Sequence, residues 1–310
     1  MSVPAIRFQQ NIEYWFLFWS NRLLPRLSHR DRRQLAKMIG LIFAYVFPYR
    51  KRIIAGNLSR AFPDQSAGWH RSVIRRVYVH LATVYFDIFA GYQLRDERFF
   101  QMIERVEAAA LEKAICEKRG VVIILFHLGN WELIADWLAR RGYQIAAVAA
   151  RLKNPLVDRL VTEIRTRNGM KIFPKGRRYT LPTMRHIRDD RLLYLIADQN
   201  AGRKGEWVKF FDQWTSSFRG PILFALRKKC PVLLGSCLLN ERGRYQIRFQ
   251  KFTPETPESM DEKSSINHLI QMYTRYFETL IVQYPEQYYW IHRRWKTRPP
   301  SVLIEKDHRT

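Results

Sequence analysis

The chain has 310 residues and is 47% hydrophobic, enough for one large α/β domain or two ordinary ones with a substantial core. Lys and Arg number 53 against 28 Asp and Glu, a formal charge of +25 and a pI near 10.3. Such an excess calls for an anionic partner: nucleic acid, an anionic membrane surface or an acidic substrate. The cysteines, Cys116, Cys230 and Cys237, are odd in number and fit no zinc spacing. They point to a reduced, cytosol-facing protein, and no cleavable signal pattern is present.

Residues 12 to 19, IEYWFLFW, are intensely aromatic but interrupted by Glu13 and followed by Arg22 and Arg26. A second apolar run, Met38 to Pro48, leads into Arg50-Lys51-Arg52. Neither reaches the roughly 18 uncharged residues of a spanning helix. Each reads as an interfacial helix whose aromatic face meets lipid while basic flanks meet phosphates. The plainer alternative is two core helices with solvated ends. Residues 69 to 91 repeat apolar positions near the helical period, through Val73, Val77, Leu81, Val84 and Ile88. Residues 1–100 are therefore expected to be a helical, membrane-associating region, and 101–310 an α/β domain, the two forming one continuous fold.

From residue 106 helices and strands alternate. Strands are expected at 121–126, 144–149, 170–173, 192–197, 207–211 and 231–238, with 245–252 alternating like an edge strand. Helices are expected at 108–117, 131–140, 155–167, 179–188, 218–228 and 263–282. This is an α/β pattern, a mostly parallel central sheet flanked by helices.

The central stretch is Val121 to Glu132, VVIILFHLGNWE. Six apolar residues, four of them Val or Ile, read as a strand buried on both faces. His127 ends it, Gly129 allows a tight turn, and Asn130 can cap the helix opening at Trp131. Glu132 falls in the first helical turn and can reach back to the imidazole. A base and its orienting carboxylate are the minimum for deprotonating a hydroxyl. A capping His and a Glu that merely favours the helix dipole would give the same spacing. A metal site is a poorer reading, because neither HExxH nor a Cys pair accompanies His127.

In parallel sheets chemistry sits outside the carboxyl ends of the strands. Asp198 and Gln199 stand at such an end, either as a polar turn or as a second carboxylate facing the His127 pocket. Arg151 lies just past a third strand. Arg165 and Arg167 follow on the next helix, as a solvated basic face or as planar forks for an anionic substrate. No Gly-rich phosphate loop and no nucleic-acid motif occurs.

These residues resemble the lysophospholipid acyltransferase superfamily, and within it the lipid A biosynthesis late (lauroyl and myristoyl) acyltransferases. HLGNWE is similar to that family's His-x4-Asp/Glu motif, and NLSRAFP (57–63) to its N-terminal element. Ala197-Asp198-Gln199 resembles its Asp-Gln element, and Phe210-Phe211, Thr215 and Gly220-Pro221 the stretch that follows. PEQYYWIHRRWKTRP (285–299) resembles its C-terminal signature. The resemblance implies an O-acyltransferase on the cytoplasmic face of a bacterial inner membrane. It would move a fatty acyl chain from acyl carrier protein to a hydroxyl of a lipid A precursor or similar glycolipid. His127 and Glu132 fall on the family's catalytic pair, His127 as general base and Glu132 as its partner. Arg165 and Asp198 fall on positions the family also needs, and Arg151 and Gln199 join them as substrate-binding candidates. Acyl carrier protein is the donor substrate, with no cofactor, no metal and no nucleic acid required. The HLGNWE wording is shared with phosphatidylinositol mannoside acyltransferases, so the acceptor stays open.

Expected oxyanion donors are backbone N–H groups near Gly129 or the Arg165 guanidinium. An apolar slot for the chain is expected against the aromatic N-terminal third. Three other readings stand beside this one: a non-catalytic peripheral lipid-binding protein, a nucleic-acid binder favoured only by charge, and a hydrolase using the same pair on water.

Overall fold

Several helix starts in this chain are written by capping side chains. The computed structural model describes residues 8–253, 260–301 and 303. Helix α1 (Phe8–Leu23) is followed by α2 (His29–Tyr45), where the Ser28 hydroxyl accepts from the Asp31 N–H. α3 (Lys51–Ala61) precedes α4 (Ala67–Gly91), which Ser66 caps through the Trp69 N–H at 3.1 Å. A short α5 (Asp96–Phe100) leads to strand β1 (Ile103–Glu107) and α6 (Ala109–Cys116). Then come β2 (Arg119–Leu125), α7 (Trp131–Arg140), β3 (Ile145–Ala149), α8 (Pro155–Thr166) and β4 (Lys171–Pro174). Asn154 caps α8, and Pro155 fits its first turn, where an N–H is not needed. α9 (Thr180–His186), β5 (Asp189–Ile196), the hairpin β6 (Glu206–Phe210) and β7 (Gln213–Ser217), and α10 (Gly220–Lys228) follow. The chain closes with β8 (Val232–Leu239), β9 (Tyr245–Phe252) and the long α11 (Glu262–Gln283).

Seven strands form one sheet in the order β1-β9-β8-β2-β5-β3-β4. Every neighbouring pair is parallel except β8–β9. The expected architecture, a mostly parallel sheet flanked by helices, is what the chain forms. Its central strand β2 explains the unbroken apolar run. Val122 and Ile124 bury into the cluster on one face, with α4 and α11; Val121, Ile123 and Leu125 bury into the other, with α6 and α7. Each such side chain contributes on the order of 1.5–3 kcal/mol when fully buried.

Two strands of the main sheet differ from the sequence reading, and the strand expected at 207–211 pairs with β7 in a separate hairpin. β9 is not an edge strand but lies between β8 and β1. Its alternation arises because Tyr245, Ile247 and Phe249 face the core while Gln246, Arg248 and Gln250 face solvent. β1 itself, IERVE, is too short and too charged to read as a strand; as the outer strand it needs no buried second face.

The N-terminal helices are fixed to the sheet by a buried charge cluster. Asp87 on α4 accepts from Arg32 Nε at 3.0 Å and from the Tyr245 hydroxyl at 2.8 Å, and pairs with Arg33 at 2.9 Å. α1 is pinned separately: Asn154 Nδ2 donates to the Gln10 carbonyl and to Glu13 Oε2. That leaves Phe8, Ile12, Trp15, Phe16, Trp19 and Leu23 on its outer face, 48 to 81% exposed. Tyr45, Val46, Phe47 and Tyr49 at the end of α2 are exposed as well. Among the described residues no helix is long and apolar enough to cross a membrane.

Candidate active site

The register of the two central strands brings His127 and Asp198 together. β2 and β5 run parallel with Leu125 opposite Ile196, so residues two further along each strand emerge side by side. His127 Nδ1 lies 2.6 Å from Asp198 Oδ1, and the His127 backbone N–H donates to Asp198 Oδ2 at 3.1 Å. The aspartate therefore grips both the ring and the main chain of one residue. Burial pushes the Asp198 carboxyl up, but the imidazole, its hydrogen bonds and the nearby Arg294 guanidinium outweigh it and hold the group below the usual carboxylate range. The ring is also held from its faces. Tyr289 stacks on it at 5.4 Å between centroids, and Trp131 meets it edge-on at 4.8 Å.

The turn that follows is fully committed to the scaffold. Gly129 has φ +63, and a Cβ there would sit 2.0 Å from the Cys237 carbonyl oxygen, so only glycine fits. Its N–H donates to the Gln287 carbonyl, and the Asn130 N–H to that of Cys237. Asn130 Oδ1 then caps α7 through the Leu133 N–H at 3.0 Å. The backbone donors near Gly129, expected as oxyanion ligands, are thus consumed inside the fold.

Glu132 does not orient the imidazole. Asp198 occupies Nδ1, and the Glu132 carboxylate is taken by Arg165 and Tyr92 instead. Arg165 makes a two-point pair, Nε to Oε2 at 3.1 Å and Nη2 to Oε1, and the Tyr92 hydroxyl donates to Oε2 at 3.0 Å. Glu132 is the second residue of α7, and from there its side chain meets α4 and α8 rather than the end of β2. Burial pushes its carboxyl up, but Arg165 and Tyr92 hold it below the ordinary value; Glu132 in turn raises the Arg165 guanidinium. Among the described residues Arg165 Nη1 makes no hydrogen bond.

His127, Glu132, Arg165 and Gln199 all line one cavity of about 770 Å³. That is within the range of roughly 300–1,000 Å³ common for ligand sites. The rest of its wall is mainly apolar, with Ile88, Phe89, Val148, Val161 and Ile172, and the N-terminal region contributes Leu17, Tyr85 and Tyr92. Arg151 does not line it but stands exposed in the loop after β3. A larger open groove of about 1570 Å³, between α2, α4 and the β8–β9 turn, contains none of these residues.

Several contributors were not singled out in the sequence. Arg294 is buried and donates to the Gln199 carbonyl at 3.2 Å, to the Ser216 carbonyl at 2.6 Å and to Ser217 Oγ at 2.6 Å. It fixes the loop that carries Asp198. His292, kept neutral by burial with a pKa lowered to about 4, accepts from the Asn200 N–H at 3.0 Å. Both lie in the C-terminal signature, where charge among aromatics was the available signal. Tyr92, just past the end of α4, carried none. Among the described residues no group of three His, Cys, Asp or Glu side chains converges on a point where a metal could sit.

Comparisons with known proteins give the family. The family described as bacterial lipid A biosynthesis acyltransferase matches residues 4–297. The chain is 23% identical to a lipid A biosynthesis acyltransferase of Haemophilus influenzae, over 92% of this chain and 87% of that one. It is 22% identical to the lipid A biosynthesis lauroyltransferase of Escherichia coli, over 82% and 81%. It is also 24% identical to a phosphatidylinositol mannoside acyltransferase of Mycolicibacterium smegmatis, over 77% of each chain. A match that runs from the aromatic first helix through the buried Arg294 spans every element that builds the His127 pocket, and the chain belongs to the bacterial lipid A biosynthesis acyltransferase family.

Proposed function

We propose that the protein transfers a fatty acyl chain from the thioester of acyl carrier protein to a hydroxyl of a lipid A precursor or similar glycolipid, on the cytoplasmic face of a bacterial inner membrane. The observation that carries the reading is the His127–Asp198 pair, 2.6 Å apart, on the wall of a mainly apolar cavity. A thioester is already activated, so the protein's task is to position and deprotonate an alcohol. With Nδ1–H held by Asp198, Nε2 is left to take the hydroxyl proton as the oxygen attacks the thioester carbon. The C–S bond then breaks, and the departing sulfur takes the proton from the imidazolium, leaving an ester and a free thiol. Arg165 is the remaining candidate for the oxyanion, through the guanidinium edge that Glu132 leaves free. Glu132 and Tyr92 act as positioning residues for that guanidinium. The exposed aromatic face of α1, with the apolar end of α2, supports peripheral binding to a bilayer.

The test is product identity. Purified protein, acyl carrier protein loaded with a fatty acid, and a lipid A precursor in vesicles should yield a product one acyl chain heavier by mass spectrometry. A gain on a mannosylated phosphoinositide instead would keep the chemistry and change the acceptor, a reading favoured by the relative from Mycolicibacterium smegmatis. Release of free fatty acid without any acceptor would make the protein a hydrolase.

The Arg165 assignment carries its own prediction. Arg165→Lys keeps the charge but cannot span both Glu132 oxygens and still present an N–H. It is expected to lower kcat by about 10²- to 10³-fold with little change in KM. An unchanged kcat in a folded variant would reduce Arg165 to a buttress for Glu132.

A further inference from the structure

Three loops around the cavity alternate residues that line it with exposed cations, of which only Lys175 is itself part of the wall. After β3, Ala150 and Leu152 line the cavity while Arg151 and Lys153 are exposed. After β4, Gly176 and Tyr179 line it while Arg177 and Arg178 are exposed. Before α10, Phe218 and Gly220 line it while Arg219 is exposed. Lys175 ties the last two loops together, its Nζ 4.0 Å above the Phe218 ring. Residues 149–155, 174–180 and 217–221 contain no Asp or Glu. Among the described residues Arg151, Lys153, Arg177, Arg178 and Arg219 make no ion pair, whereas Arg119 and Arg248, away from the cavity, pair with glutamates. Leu152, Lys175 and Gly176 line the cavity and are exposed themselves, so it opens to solvent between these loops.

We propose that this rim is the docking surface for an acidic protein that carries the acyl thioester, an inference that rests on the acyl-transfer reading above. Leu17 on α1 and Tyr85 on α4 also line the cavity, beside the exposed aromatic face of α1. The mouth therefore has an apolar flank suited to a bilayer and a basic flank suited to a water-soluble donor. Transfer from a soluble carrier to a membrane lipid needs both at one opening. Recognition of a single phosphate calls for fixed, converging donors. The rim offers the opposite, long exposed side chains spread over three loops, which suits diffuse complementarity to a macromolecular surface and faster encounter.

The test compares two donors in the full-length protein. Arg177→Glu/Arg178→Glu and Arg219→Glu are exposed sites outside the cavity wall. The donors are acyl carrier protein and a neutral acyl-pantetheine thioester, both with acceptor in vesicles of phosphatidylethanolamine and phosphatidylglycerol. Binding of the carrier to immobilised protein is measured alongside, at low and high salt. The variants should lose about 10- to 100-fold in kcat/KM and in affinity with the carrier, keep their rate with acyl-pantetheine, and lose the salt dependence of the wild type. Unchanged carrier binding would overturn the proposal, as would equal slowing with both donors. Loss of vesicle binding with carrier binding retained would assign the rim to the bilayer instead. Should wild type bind the carrier through these residues yet transfer nothing from either donor, the docking surface would stand and the acyl-transfer reading would fall.

Discussion

Asp198→Asn is expected to lower acyl transfer by about 10³- to 10⁴-fold while leaving the fold in place. The reason lies in the two hydrogen bonds Asp198 makes to one residue. Its Oδ2 accepts the His127 backbone N–H, and its Oδ1 faces the ring at Nδ1. In the asparagine variant the amide oxygen can satisfy only one of these positions. If it keeps the backbone N–H, the amide NH2 faces Nδ1 and makes that nitrogen an acceptor. The ring proton then moves to Nε2, the atom that must accept a proton from the alcohol. The loss should appear in kcat, with substrate binding largely kept, because Asp198 does not line the cavity. A variant that folds normally and retains near-normal kcat would remove the aspartate from the mechanism.

His127→Ala is expected to cost about 10²- to 10⁴-fold, the usual contribution of a positioned base. Binding of the carrier should survive, since the ring is only one part of the cavity wall. The fold should survive too: the backbone N–H that Asp198 accepts is still there, and Arg294 still lies nearby. The informative comparison is the double variant. If the two residues act as one unit, His127→Ala combined with Asp198→Asn should be no slower than His127→Ala alone. Additive losses, measured as single-turnover rates with saturating donor, would mean that Asp198 acts on something other than the imidazole.

Much of this site can be read from local sequence. The run from Val121 to Phe126 demands burial on both faces, and a sheet buried on both faces places its chemistry at strand ends, where His127 and Asp198 stand. The turn at Gly129 and the cap at Asn130 are equally local, because each depends on a single backbone conformation or a three-residue reach. Which carboxylate serves the histidine is a different kind of fact. Five residues separate His127 from Glu132, and 71 separate it from Asp198. Proximity in sequence favours the former, yet parallel register favours the latter, by laying Leu125 against Ile196.

Charged residues show the same division. Composition alone calls for an anionic partner, and the aromatic run near the N-terminus alone suggests an interface. Composition cannot say that Arg32 and Arg33 are spent on Asp87, Arg165 on Glu132, and Arg294 on backbone carbonyls, while the arginines of the loops around the cavity make no ion pair among the described residues. The sequence by itself determined the α/β alternation, the strand-end histidine and the family, because these depend on periodicity and short motifs. Only the tertiary structure decided that Asp198 serves His127, that Glu132 serves Arg165, and which cations remain unpaired. Strand order and register bring together residues that no local pattern connects.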